Sequence, residues 1–228
     1  MLFFAITFLL LILIYLPSLW IRWIMKKHGD QLQDLPGTGG ELAMHLIKRF
    51  ELEGYIVEQA DQMGDHFNPE DKAVRLSEAN YNGKSLTAVA VAAHEVGHAI
   101  QHFKGEKIFE LRKKYIPIAI MFQKLGVMSL ALVPFIAVLV KVPSLVIWVI
   151  VISLVFQFIG ALAYLIVLPE EWDASFNKAL PILVEGEYVE SQQQQAVREV
   201  LKAAALTYFA AALASMLNIG RWLLILRR

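Results

Sequence analysis

The 228-residue chain is 57% apolar and only 18% charged, against about 45–50% and about 25% for an ordinary globular domain. Its 21 basic and 21 acidic residues cancel, and without an extended basic block the composition argues against a nucleic-acid partner. Cysteine is absent, which excludes disulfides and thiolate metal sites and leaves any metal to His, Asp or Glu.

Residues 1–22 read as an uncleaved transmembrane anchor. No charge occurs before Arg22, and a span needs about 20 predominantly apolar residues. Leu2, Phe3 and Phe4 give no basic start, and Pro17-Ser18-Leu19-Trp20 is a poor cleavage site, so a signal peptide is disfavoured. Arg22, Lys26 and Lys27 then place residues 23–114 in the cytoplasm by the positive-inside rule. Leu35-Pro36-Gly37-Thr38-Gly39 matches the LPxTG sorting signal in letters only, since it follows the first span rather than preceding a final one. Thr38 instead reads as a helix N-cap, with Glu41 closing a capping box, and the helix runs to about Leu52 with Gly54 as its stop.

From Tyr55 to Ser77 short extended runs alternate with turn signals at Met63-Gly64-Asp65 and Asn68-Pro69-Glu70-Asp71. The pattern predicts a small antiparallel meander ending in Ala73–Ser77. As an open edge this last strand would accept a substrate peptide by β-augmentation; otherwise its role is structural. Ser85 then caps a helix from Leu86 to about Phe103, rich in alanine and ended by Gly105. Lys107, Arg112, Lys113 and Lys114 form a second basic cluster. Residues 115–168 read as a transmembrane hairpin turning at Lys141-Val142-Pro143-Ser144, with both feet in the cytoplasm. Residues 169–202 are polar again. The last segment, 203–228, is an apolar helix, either a fourth span or a helix packed on the hairpin. As a span it would carry three arginines outwards, against the positive-inside rule.

The chemistry lies in His94-Glu95-Val96-Gly97-His98. On a helix, histidines four apart leave one face about a turn apart and can share one zinc ion. Glu95, beside the first histidine, can reach a water on that metal. Such an HExxH pattern needs a third ligand and an open position for water. His102, eight residues after His94, sits about 12 Å further along a continuous helix, too far to share the ion. Metzincins turn the chain there with glycine, but Gln101 occupies that position and Lys104 stands where their third histidine would be. His28, His45 and His66 are further histidine candidates. Glu170, Glu171 and Asp173 are better placed, at the start of the segment after the hairpin and on the same side of the membrane.

The runs His94–Gln101, Tyr81-Asn82-Gly83-Lys84-Ser85-Leu86 and Pro169-Glu170-Glu171-Trp172-Asp173-Ala174-Ser175 resemble those of the YugP-like family of bacterial membrane zinc metallopeptidases over nearly the whole chain. There is a more distant similarity to the membrane gluzincins of the HtpX and CAAX prenyl endopeptidase type. Their third ligand opens an E-x-x-A-D pattern, which implies Glu171 as the ligand here, with Ser175 in place of the Asp. Asp173 or Ser175 would then orient a ligand histidine.

The resulting expectation is a mainly α membrane protein, multi-pass in the cell membrane. A small α+β zincin-like core would face the cytoplasm and work on a peptide or membrane-protein substrate. His94, His98 and Glu171 would bind Zn2+, Glu95 would be the general base, and Tyr188, Asn177 and Arg198 are candidate oxyanion donors. Two rivals stand beside it. One is a non-catalytic membrane scaffold with a structural metal, which a closed fourth ligand such as His66 would favour. The other is an intramembrane protease, disfavoured by the charged flanks Lys84, Glu106 and Lys107.

Overall fold

The computed structural model describes residues 2–61 and 64–216. The first described helix is α1 (Leu2–Lys27). Next come α2 (Gly39–Arg49), a three-stranded sheet of β1 (Ile56–Gln59), β2 (His66–Asn68) and β3 (Ala73–Leu76), and the short α3 (Glu78–Tyr81). The long helices follow: α4 (Leu86–Phe103), α5 (Lys107–Val140) and α6 (Pro143–Leu165). After α7 (Leu168–Trp172) the helix continues as a π-helical segment, Asp173–Ala179, into α8 (Leu180–Glu185). The described chain ends with α9 (Gln194–Ala205) and α10 (Thr207–Met216). Residues 217–228, with Arg221, Arg227 and Arg228, lie outside the described residues, as does Met63 of the expected turn.

Two compact units partition this chain. One comprises residues 2–18, 111–168 and 208–216; the other is Leu19–Glu110 joined by Pro169–Thr207. In the first unit, α5 and α6 are long and apolar enough to cross a membrane. They meet at small residues, which let backbones approach closely. A Cβ on Gly126 would stand 2.7 Å from Gln157 Cγ, and one on Gly160 would stand 2.6 Å from Gln123 Cγ. Each glycine thus makes room for the other helix's glutamine. Outward from this seam Met128, Phe135, Leu139, Ile147 and Trp148 are exposed. The turn between the helices falls at Lys141, whose left-handed φ of 54° closes α5.

The second unit is built around α4, every residue of which from Leu86 to Gln101 is buried. The helix packs against α2, α9 and the π-helical segment, with α3, α8, β2 and β3 also against it. Its many alanines let those neighbours come close on all sides. Ser85 caps it, accepting from the Ala88 N–H. At its far end Gly105 (φ +60°) lets Glu106 N–H reach Gln101 O at 3.0 Å and Gly105 N–H reach His102 O at 3.1 Å, a Schellman closure. The Thr38–Glu41 capping box of α2 is also formed in full. That helix stops at Arg49, earlier than composition implied. The left-handed residue that ends it is Glu51 (φ 51°), not Gly54, and Leu52 N–H closes back on Ile47 O at 3.0 Å.

The sheet corrects the expected meander. Its strand order is β1-β3-β2, with β1 parallel and β2 antiparallel to β3. Turn residues mark where a chain reverses, not which strand it then joins. Here Asp65 fixes the route by accepting from Ser77 N–H (2.7 Å), Ser77 Oγ (3.0 Å) and Asn80 Nδ2 (2.8 Å), and Glu58 meets its partner Arg75 at 2.6 Å. Because β3 has a neighbour on both sides, it is no open edge, and β-augmentation on Ala73–Leu76 is ruled out.

Candidate metal centre

Three donor atoms converge on one buried point. His94 Nε2 and His98 Nε2 are 3.2 Å apart, and Glu171 Oε2 is 3.3 Å from each. All three residues are buried. Three ligands placed about 2.0–2.1 Å from a zinc ion at tetrahedral angles stand about 3.3–3.4 Å apart. The triangle therefore already has the edge of a tetrahedral zinc site, and its two imidazoles and one carboxylate suit that metal. Among the described residues no fourth His, Asp or Glu joins the group.

The far side of each imidazole is also held. Ser175 Oγ lies 2.9 Å from His94 Nδ1 and 3.1 Å from Leu201 O. Its one proton goes to the carbonyl, so its oxygen accepts from His94 Nδ1–H and leaves the Nε2 lone pair to the triangle. Gln101 does the same for His98. Its Nε2 donates to Glu170 O (3.0 Å) and to Asp173 Oδ2 (2.9 Å), so its Oε1, 2.9 Å from His98 Nδ1, must accept. In each ring the Nδ1–H is thus fixed as a donor by where the neighbouring protons are already committed. Glu170 Oε1 adds an anionic contact to His98 Nδ1 at 3.3 Å.

Local structure explains how one short stretch supplies so much. Glu171 and Ser175 are four apart and clasp opposite nitrogens of the same imidazole. The π-helical turn between them, with its wider i→i+5 closure, re-aims the side chains that follow Glu171. It also brings its backbone against α4 at Gly97, where a Cβ would stand only 2.8 Å from Ala174 O. Nothing larger than glycine fits between His94 and His98 at that approach.

Charge follows burial. Burial raises the Glu95 pKa above the usual carboxylate range, outweighing the attraction of His94 and His98, and the Glu171 and Asp65 charges push the same way. Burial by itself would lower the His98 pKa, but Glu171, Glu170 and Glu95 outweigh it and push it up to about 10. Burial works the other way on Glu171, which the two histidines nevertheless hold well below the ordinary carboxylate range. Asp173 is likewise lowered, desolvation being outweighed by Lys178, Gln101 and Asn177.

The remaining histidine candidates are engaged elsewhere. His102 Nδ1 pairs with Tyr55 OH at 2.7 Å inside an aromatic cluster with Phe67 and Phe109. His66 bonds Gly64 O, His45 bonds Tyr188 OH, and His28 bonds Glu199. The expected oxyanion donors also have other settings. Tyr188 OH joins His45 and Arg49, Asn177 donates to Asp173, and Arg198 lines a groove with Trp172. Between the two orienting candidates, Ser175 acts on His94 directly, while Asp173 reaches His98 only through Gln101. Gln101, first noted only as the residue replacing a metzincin glycine, is the support that sequence reasoning missed. Its spacing of three from His98 and seven from His94 put it on the ligand face and was the available signal.

Residues 3–227 match the family described as "Putative neutral zinc metallopeptidase". The chain is also 32% identical over 227 residues, 91% of each chain, to the Bacillus subtilis (strain 168) protein named "Putative membrane protease YugP". No solved structure matches it significantly.

Proposed function

The chain belongs to this neutral zinc metallopeptidase family, and from that premise we propose a membrane-anchored endopeptidase in which His94, His98 and Glu171 hold zinc and Glu95 is the general base. The buried triangle of three donors, each about one tetrahedral edge from the next, supports the metal assignment most directly. Three protein ligands are the number a catalytic zinc takes, with one position left for water. When bound, zinc supplies Lewis acidity, lowering the pKa of water towards about 7 and polarising a carbonyl.

The chain's own groups do the rest. Glu95 takes a proton from the attacking water and returns it to the leaving amine. Its burial, by raising the carboxyl pKa, makes it a stronger base than a solvated glutamate. Ser175 and Gln101 hold the two imidazoles with Nε2 towards the metal. On this reading the HExxH helix and Glu171 form a gluzincin-like site acting on a peptide or membrane-protein substrate.

The membrane part of the proposal draws on α5 and α6, whose large apolar side chains are widely exposed in their own unit, and on residues 1–22 as a further span. The basic clusters Arg22-Lys27 and Lys107-Lys114 support, by the positive-inside rule, a cytoplasmic side for residues 23–114 and 169–202 on this reading.

Elemental zinc analysis beside a casein cleavage assay tests the chemistry. Glu95→Gln should keep its zinc and lose cleavage by about 10²-fold or more. Zinc retained with full activity overturns Glu95 as base; a wild-type protein that takes up no zinc overturns the peptidase reading itself.

A further inference from the structure

A recess in the Leu19–Glu110/Pro169–Thr207 unit is lined by none of the three proposed metal ligands. It is a groove of about 490 Å³ between the end of α1, the π-helical turn and α9. Trp20, Trp23, Trp172 and Phe176 form its aromatic walls, with the last two rings in contact at 4.4 Å between centroids. Trp23 and Trp172 are 58% and 44% exposed, large apolar surfaces left open beside charge.

The charge in this groove is unbalanced. Its acid, Glu199, is taken up by Lys27 Nζ and His28 Nε2, both at 2.9 Å. Arg198 and Lys202 stand one helical turn apart on α9, exposed, and neither has an acidic partner among the described residues. Two open cations beside indole rings present a site for an amphiphilic anion. Its position selects which one. Trp20–Lys27 spans the end of the uncharged stretch 1–21 and the basic residues after it, where tryptophan and basic side chains sit at headgroup depth.

We infer that this groove binds the headgroup of an anionic phospholipid, with Arg198 and Lys202 on the phosphate and the indoles against the glycerol and upper acyl carbons. The inference rests on the membrane-anchored part of the proposed function. Because Trp172 and Phe176 neighbour Glu171 and Ser175 in the chain, the lipid would lie against the same helical turn that carries the third metal ligand.

The test uses the full chain in detergent, with lipid binding read by native mass spectrometry. Phosphatidylglycerol should bind more tightly than phosphatidylcholine, by on the order of 30-fold for two cations. Arg198→Gln/Lys202→Gln should erase that preference while keeping wild-type zinc content, and the charge-conserving Arg198→Lys/Lys202→Arg should keep it. Equal binding of the two lipids, or a preference surviving in the Gln variant, overturns the inference. Displacement of phosphatidylglycerol by equal inorganic phosphate, or by an acidic peptide, overturns it in favour of a soluble anion or a protein partner. Extraction of the chain from membranes by alkaline carbonate defeats the membrane reading and this inference together. Retention without a lipid preference defeats this inference alone.

Discussion

Ser175 and Gln101 carry no charge, yet they decide which nitrogen of each histidine is free. Each has its own proton or protons committed elsewhere, Ser175 to Leu201 O and Gln101 to Glu170 O and Asp173. Each therefore has only an acceptor to offer the imidazole. Ser175→Ala removes that acceptor and leaves His94 Nδ1–H buried without it. Such supporting contacts are worth about 10–100-fold in metal affinity, so Ser175→Ala and Gln101→Ala should each weaken zinc binding by about that factor in a chelator competition. Glu171→Ala, which removes a donor of the triangle, should lower zinc occupancy further than either. Equal occupancy in all three would place the third ligand elsewhere. Arg75, by contrast, is purely architectural: it ties Glu58 on β1 to Asp71 in the β2–β3 turn.

Between elements, the proposed metal centre depends on how closely the π-helical turn approaches α4. Gly97 sets that distance. Gly97→Ala would put a methyl 2.8 Å from Ala174 O, and because the obstacle is backbone the whole turn must shift. The expected cost is about 1–3 kcal/mol of stability, seen as a lowered Tm with zinc affinity lost alongside it. An unchanged Tm would mean that the turn can slide away freely. A second inter-element contact joins the end of α1 to α9 through Lys27, His28 and Glu199. Those hydrogen bonds hold the Glu199 pKa down at about 2, below its unfolded value of about 4.3. A depressed acid contributes stability above its unfolded pKa and loses it as pH falls towards its folded one. Glu199→Gln should therefore lower Tm at pH 7 and differ less from wild type between about pH 4 and 2. Because the pair is partly exposed, salt should shrink the difference as well. A gap constant with pH would deny the linkage.

On the scale of the whole molecule, the unit that carries the proposed metal centre is discontinuous. Glu171 rejoins the unit of His94 and His98 only after residues 111–168 have built part of the other. The chain connection has a consequence for topology. If 115–168 form a hairpin in the bilayer, an even number of crossings returns residue 169 to the side on which residue 110 was left, as a shared site requires. A reporter fused after Glu106 and a second one after Glu185 should thus give the same cytoplasmic signal. Opposite signals would break the hairpin reading, and two external signals would invert the orientation.

Much of the local structure is legible in the chain because local rules decide it. Ser85, Gly105 and the Thr38–Glu41 pair bound their helices through contacts within a few residues. The i,i+4 spacing of His94 and His98 needs only a helix to become a shared face. Glu171, picked out by resemblance, stands 3.3 Å from the Nε2 of both histidines. Strand partners are different: β1 joins β3 in parallel because of pairings 17 residues apart in sequence, such as Glu58 with Arg75, and no turn signal encodes that choice. The π-helical turn, the glycine-wide gap at Gly97 and the two imidazole tautomers also escape the sequence. Each depends on atoms brought together from α4, α9 and the segment after Leu168. By itself the sequence determined which residue types could ligate and which stretch would be helical, because propensity, capping and spacing act locally. Only the tertiary structure decided that three donors meet at one tetrahedral edge, because that distance is set by packing between elements far apart in the chain.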